Sequence, residues 1–312
     1  MKIIDFETIR NYSIAPSLCV EWVEAALKAK YDSYLPSKIS VKIDSDIFFN
    51  TMPAYIPTLN RFGVKVVSRF PKRKPALLGD ILLYDVSEGS ALALIDGSWI
   101  TAMRTGAVAA LAIKHLRSSV AKEYAFMGLG NTARATLLCL LAVINGPLHI
   151  RLLAYKSQED LFMERFKDFP QLSFSVFKDA ASLIDGADVV VSCVTVANSL
   201  FAPDECFNPG VLVVPVHTRG FQNCDLFFDK VFADDRGHVC GFKYFDRFKY
   251  FDEFAHVLLD ENIGRTSDDE RILAYNIGIA LHDVYFASKI YDEIACLVPD
   301  LPASMTEEKY WV

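Results

Sequence analysis

Two periodicities divide the chain. Residues 38–100 read as short strands, "KISVKI", "DIFFNTMPAYI", "FGVKVVSRF", "GDILLYDV" and "SALALID". Turn residues such as Gly63, Pro75, Gly79, Glu88-Gly89 and Asp96-Gly97 separate them. "VSEGSALALI" reads as a hairpin, and the region as a mostly antiparallel sheet. Ahead of it, "KIID" suggests a short strand, and "EWVEAALKAK" (21–30) a helix, with Trp22, Ala25, Ala26 and Ala29 at helical spacing. After residue 123 the apolar runs become nearly continuous: "YAFMG", "HIRLLAY", "SFSVF", "ADVVVSCVT" and "GVLVVPVH". Helices are expected between them at 131–144 and 157–168. Continuous apolar strands separated by helices imply a parallel sheet buried on both faces. An amphipathic helix is expected at 242–254, where "FKYFDRFKYFDEF" repeats a six-residue unit, and a last helix at 269–294, kinked at Gly278.

Between the two patterns, "TAMRTGAVAALAIKHL" predicts a helix over 102–116. Its apolar run begins at Met103, which puts Arg104 in the first turn. A cation at the positive end of the helix dipole is disfavoured by a few tenths to about 1 kcal/mol. A bound anion would reverse that sign, and a guanidinium can grip a carboxylate bidentately. On chemistry alone, Arg104 fits either a carboxylate ligand or a surface arginine paired with a nearby acid.

Next comes "EYAFMGLGNTARATLLCLLAV" (123–143), with Gly128-Leu129-Gly130-Asn131-Thr132-Ala133 between a strand and a helix. In a G-x-G-x-x-A turn, Gly128 permits the tight bend, Gly130 admits a pyrophosphate against the backbone, and Ala133 lets helix and strand pack closely. The helix N-terminus would aim its amides and dipole at the phosphates. Sites for NAD place an acid at the end of the second strand, to bind the ribose hydroxyls. Here that point reads Ala154-Tyr155-Lys156-Ser157, with no carboxylate before Glu159. Lys156 and Ser157 suit a 2′-phosphate, so NADP(H) is favoured over NAD(H).

Composition adds limits. At 312 residues, 52% hydrophobic and 23% charged, the chain suits a globular protein of two domains. A net charge of −7 argues against a broad nucleic-acid-binding surface, and the basic run "RFPKRKP" (69–75) reads as a solvated loop. The seven cysteines are scattered, with no CxxC, which fits reduced thiols and gives no metal site. No uncharged apolar run reaches 18 residues and no signal peptide is apparent, so neither a membrane span nor a membrane partner is expected. A cytoplasmic protein is the expectation.

"LIDGSWITAMRTGAVAALAIKHL" followed by "AFMGLGNTA" resembles the ornithine cyclodeaminase/mu-crystallin family, as do "FGVKVV", "GADVVVSCVT" and "NIGIALHDVYFASKIYD". The resemblance covers nearly the whole chain. It implies an α/β fold, a Rossmann-type dinucleotide-binding domain plus an α+β substrate-binding/dimerisation domain. The boundaries expected are 1–115 with 290–312 for the substrate domain and 116–289 for the nucleotide domain. It also implies a homodimer that binds NAD(H) or NADP(H) and acts on small amino or imino acids.

Residue by residue, the resemblance implies that Arg104 holds the substrate α-carboxylate. Lys65 in "FGVKVV" would sit by the reacting carbon, as carboxylate contact or proton-transfer group, and Lys42 in "ISVKI" takes the place of another basic ligand. Thr105 and Gly106 would begin a helix beside the cofactor. Gly128, Gly130, Asn131 and Thr132 would contact pyrophosphate, and Thr195 and Val216 would line the nicotinamide ribose.

Two positions depart from ornithine cyclodeaminases, which carry a glutamate before the "MP" dipeptide and an aspartate in a later loop. Here Asn50 stands in the "NTMP" segment, and an ungapped reading puts Arg219 in the loop, with Asp225 brought in by a one-turn shift. An arginine would repel the distal ammonium of ornithine. Like charges about 4 Å apart cost on the order of 4 kcal/mol at an effective dielectric near 20, about a thousandfold in affinity. Arg219 would instead bind a neutral or acidic distal end, or lie on the surface. His217 fits either an acid/base or a structural histidine. The expectation is an NAD(P)-dependent oxidoreductase working at a carbon–nitrogen bond. The alternatives are an ornithine cyclodeaminase and a non-catalytic NADPH- or ligand-binding protein.

Overall fold

The computed structural model describes residues 1–194, 201–216 and 226–302. The chain begins with β1 (Lys2–Ile4), α1 (Phe6–Tyr12), α2 (Pro16–Lys28), β2 (Ile39–Lys42), β3 (Phe48–Ile56), β4 (Arg61–Arg69), β5 (Leu77–Asp85) and β6 (Ala91–Asp96). It continues with α3 (Gly97–Leu116), β7 (Glu123–Met127), α4 (Asn131–Val143), β8 (Leu148–Leu153), α5 (Gln158–Arg165), β9 (Leu172–Phe177), α6 (Ala180–Ile184) and β10 (Val189–Ser192). Then come β11 (Leu212–Pro215), β12 (Lys230–Ala233), α7 (Arg236–Val239), β13 (Phe251–Glu253), α8 (Phe254–Leu258), β14 (Ile272–Tyr275) and α9 (Ala280–Ile294). Among the described residues, no helix is long and apolar enough to cross a membrane.

Contacts divide the chain into two units. One holds Met1–Ile14, Tyr31–Thr101 and the residues from Asp283 on; the other holds Ala15–Lys30 and Ala102–His282. The first is built on a six-stranded sheet, β1-β6-β5-β4-β3-β2, antiparallel except for the β1–β6 pair. Its inner face is mostly apolar: Met52, Ala54, Ile56, Val67, Ile81, Leu83, Ala93 and Ile95 are buried. The alternation follows from the two-residue period of a strand.

The second unit contains an eight-stranded parallel sheet, β13-β12-β14-β11-β10-β7-β8-β9. The strands β10, β11 and β14 are buried at every position, as expected of a sheet covered on both faces. The order runs outward in both directions from β7 and β10, so a switch point lies between them. Ligands of doubly wound sheets bind at that point, beyond the strands' carboxyl ends. Cys19 and Cys139 are core residues of this unit, and burial pushes the Cys19 thiol up to about 12.

Several elements differ from the sequence reading. Helix α3 starts at Gly97, five residues earlier than its apolar run suggests, and the Asp96 carboxylate accepts the Ser98 amide at its start. Arg104 therefore lies about two turns inside the helix, where the dipole penalty no longer applies. The long helix expected over 269–294 is instead the buried strand β14, a left-handed Gly278 (φ 92°) and then α9. The aromatic repeat at 242–254 is no amphipathic helix. Phe242, Phe245, Phe248 and Phe251 recur every third residue and cluster with one another and Tyr275, around a short 3-10 turn and the edge strand β13.

By contacts, residues 15–30 and 102–115 group with the second unit. For α3 one such contact is at Gly106. A Cβ there would lie 2.4 Å from the Ala135 backbone carbon and 2.5 Å from the Thr136 nitrogen, so α3 and α4 cross backbone to backbone.

Candidate functional site

In the second unit, β7 delivers the chain to the glycine turn. Gly128 adopts a left-handed conformation (φ 79°), and a Cβ there would sit 2.7 Å from the Cys193 carbonyl oxygen at the end of β10. Only glycine satisfies both constraints. Among the described residues, a Cβ at Gly130 would meet nothing within 4 Å, which leaves space above the start of α4. Gly130 is also the N-cap, and among the described residues no side chain caps the helix. Ala133 is fully buried beneath the turn. An uncapped helix start under open space, with Asn131 and Thr132 in its first turn, fits the pyrophosphate of a dinucleotide.

At the end of β8, Lys156 and Ser157 are both left-handed (φ 52° and 57°), a tight turn into α5. The Lys156 ammonium lies 4.9 Å from the centre of the Tyr155 ring. Glu159, the first carboxylate after the strand, accepts the Tyr155 backbone amide at 3.0 Å. Its charge is thereby tied to its own loop. Val216, just past β11, donates its amide to the Ser192 carbonyl at 3.0 Å. Thr195, His217, Arg219 and Asp225 lie outside the described residues.

Arg104 is buried, 6% exposed. Its guanidinium lies against the backbone of Gly278: a Cβ on that glycine would fall 1.9 Å from Nη1 and 2.8 Å from Cζ. Thr105, the next residue of α3, is also buried. These groups, with the glycine turn, all belong to the second unit.

The first unit holds Lys65, 1% exposed on β4. Its ammonium pairs with the fully buried Asp283 carboxylate at 2.9 Å and donates to Thr101 Oγ1 at 2.7 Å. Thr101 in turn donates to the Gly97 carbonyl. Gly79 makes room, since a Cβ there would lie 3.2 Å from Lys65 Cε. Burying an ammonium alone would be prohibitive, and the carboxylate makes it tolerable. The sequence reading missed Asp283 and Thr101. The available signal was an acid in the middle of the apolar run "IGIALHDVYFASKI".

Strand register sets the remaining candidates. Met52 faces Lys65, Asn50 faces Ser40 and Val67, and Lys42 faces Phe48. Directly opposed residues share a face and side chains alternate, so Lys42, Asn50 and Lys65 project from the same face of the sheet. Lys42 is exposed at the end of the edge strand β2, and Asn50 is half-buried.

Residues 6–296 match the ornithine cyclodeaminase/mu-crystallin family. The chain belongs to the ornithine cyclodeaminase/mu-crystallin family. Among curated relatives of this family member, the nodulation efficiency protein NfeD of Rhizobium meliloti is 26% identical over 279 residues, 82% of this chain and 83% of the relative. A Δ1-pyrroline-2-carboxylate reductase of Bacillus cereus is 25% identical over 264 residues, 78% of this chain and 80% of the relative. Among solved structures, the Thermococcus litoralis Δ1-pyrroline-2-carboxylate reductase in complex with NADH and L-proline superimposes with a TM-score of 0.86 at 22% identity. That match covers 96% of this chain and 100% of the other. It shows that this family member has the same fold, a Rossmann unit joined to a second α+β unit.

Proposed function

We propose that the protein is an NAD(P)H-dependent reductase of small α-imino acids, able in reverse to oxidise the corresponding amino acid. The observation that carries this reading is the burial of Arg104, a guanidinium seated against the Gly278 backbone in a chain that keeps the open glycine turn. The name of the Bacillus cereus relative supports the substrate class, a small acid with a C=N bond next to its carboxylate.

In this reading Arg104 binds the α-carboxylate through paired N–H donors. Gly128, Gly130, Asn131 and Thr132 hold the pyrophosphate, and Thr105, Thr195 and Val216 border the nicotinamide half. When bound, the dinucleotide supplies the hydride that the imine carbon accepts. The imine nitrogen takes a proton in the same conversion, and Lys65 delivers it, its charge balanced by Asp283. His217 is the second candidate for that transfer. Lys42 and Asn50, on the Lys65 face of the sheet, are assigned in this reading to the rest of the substrate, and Arg219 to its distal group.

The test is loss of reduced-nicotinamide absorbance when the protein is mixed with Δ1-pyrroline-2-carboxylate or a homologous ketimine acid. No turnover with any such acid would end this reading. Release of ammonia and proline from ornithine with NAD⁺ would make the protein a lyase instead.

We propose further that NADPH is preferred over NADH. Lys156 and Ser157 occupy the point where a ribose-binding acid would stand, and Glu159 is engaged by the Tyr155 amide. Replacing Lys156 with glutamate is expected to weaken NADPH about tenfold while changing NADH little, the scale of one lost exposed charge-assisted contact. Fluorescence titration with both nucleotides checks it, and equal weakening of the two would place Lys156 away from the 2′ position.

The assembly is proposed to be a homodimer. The outer face of the six-stranded sheet carries Ile3, Phe62, Val64, Val66, Leu82 and Leu94, of which Ile3, Phe62, Val66 and Leu94 are exposed. A contiguous apolar face of this kind marks an interaction surface, and a second copy of the same sheet is its simplest complement. Sedimentation should give twice the chain mass for the native protein and a monomer for Leu94→Lys. A native monomer would remove the proposal.

A further inference from the structure

Behind Gly278 stands a second buried acid. Asp234 directly follows β12 and is fully buried, a costly place for a carboxylate. Burial pushes its pKa up, against the opposing pull of His238, the Gly278 amide and Lys30. One oxygen, Oδ2, accepts the Gly278 amide at 2.5 Å. The other has no hydrogen-bond partner among the described residues.

The backbone at this point is anchored from the opposite side. Lys30, 4% exposed just beyond α2, donates to the Asp234 carbonyl at 2.8 Å. The same ammonium pairs with Glu253 at 2.7 Å and Asp235 at 3.1 Å. The Asp234 amide donates to the Tyr275 carbonyl at 3.0 Å. Two backbone amides of the short link from β14 to α9 are held in this way: Asn276 donates to the Pro215 carbonyl at 2.9 Å, and Gly278 to Asp234. On its other side Gly278 touches the Arg104 guanidinium. A continuous series runs from Lys30 to Asp234, to Gly278, to Arg104, all within one unit.

We propose that Asp234 is a positioning residue for Arg104: by holding the Gly278 amide, it fixes the backbone against which the guanidinium lies and so sets affinity for the substrate carboxylate without touching it. The inference rests on the reading of Arg104 as carboxylate ligand. A left-handed glycine at the end of a strand has several conformations open to it. One hydrogen bond to a buried, anchored acceptor selects among them. Small displacements of a binding group are costly, because the interaction depends on aligned geometry.

Three variants test it. Asp234→Leu removes the acceptor and the buried charge while keeping a side chain branched at Cγ. Asp234→Asn retains an acceptor oxygen. Arg104→Lys removes the fork that Gly278 backs. In D234L, KM for the imino acid is expected to rise about tenfold, with kcat and nucleotide affinity nearly unchanged, the pattern of lost substrate binding. D234N should stay close to the native protein. In the R104K background, D234L should add little further, since coupled residues are non-additive. An undiminished effect of D234L in R104K, or an equal loss of nucleotide affinity, would make Asp234 merely structural and overturn the proposal. If D234L does not fold, Asp234→Ala withdraws the acceptor without added bulk and carries the same expectations.

A readout that needs no turnover separates this inference from the functional reading. Phenylglyoxal labelling of Arg104, followed by peptide mapping, is expected to be about fivefold faster in D234L than in the native protein, because local opening controls access to a buried group. If no imino acid is reduced but labelling accelerates, the functional reading fails and the positioning of Arg104 stands. If labelling is unchanged, the positioning inference fails whatever the protein reduces.

Discussion

Replacing Arg104 with alanine is expected to raise KM for an imino acid substrate by about 30-fold to several thousandfold, corresponding to about 2–5 kcal/mol for truncating one partner of a buried, hydrogen-bonded charge pair. Nucleotide affinity should remain near the native value. The separation follows from placement: Arg104 lies against Gly278, whereas the proposed pyrophosphate cradle comprises Gly128, Gly130 and the start of α4. Arg104→Lys keeps the charge but loses the planar fork, so its effect should fall between native and alanine. A deletion variant such as R104A opens a buried gap beside a left-handed glycine, which makes a parallel thermal melt necessary. The decisive comparison is of steady-state kinetics with direct nucleotide titration. A matched loss of nucleotide affinity would show that Arg104 supports the cofactor rather than the carboxylate.

The parts legible from sequence are those whose constraint is local. A glycine turn between a strand and a helix announces itself, because φ, close approach and helix start all fall within six residues, and Gly128 and Gly130 occupy the turn as expected. The antiparallel sheet was legible for the same reason, since each strand meets its sequence neighbour across a turn. What was not legible depends on distant partners. β14 reads as the start of a helix, because a wholly buried strand has no period of its own. Only its neighbours β11 and β12, remote in sequence, make it a strand. The start of α3 was hidden by "DGS", which serves equally as a turn and as an N-cap. The acids Asp283 and Asp234 looked like ordinary charges. Their meaning lies in Lys65 and Gly278, 218 and 44 positions away in the chain.

The Lys65–Asp283 pair yields the second large effect, one in which stability and activity part company. With 1% and 0% exposure, neither charge has water to fall back on. Lys65→Met leaves a buried carboxylate without its cation, and Asp283→Leu leaves the ammonium without its anion. Each single change is expected to destabilise the protein by about 3–5 kcal/mol, the usual cost of breaking a buried pair. Thr101, which accepts from Lys65, softens the second loss only in part, since a hydroxyl carries no compensating charge. The double variant K65M/D283L removes both charges and fills the space with apolar volume, so its stability should return to near the native value or exceed it. Activity should not return, because no ammonium remains to deliver the proton to the imine nitrogen. Urea unfolding of the four proteins without nucleotide, since bound ligand would itself stabilise the fold, gives the coupling energy directly. If the double variant is as unstable as the two singles combined, the charges are not coupled, and Lys65 is held by contacts other than Asp283. If instead the double variant is stable and still reduces imino acids, the proton comes from another group, and His217 becomes the residue to replace next.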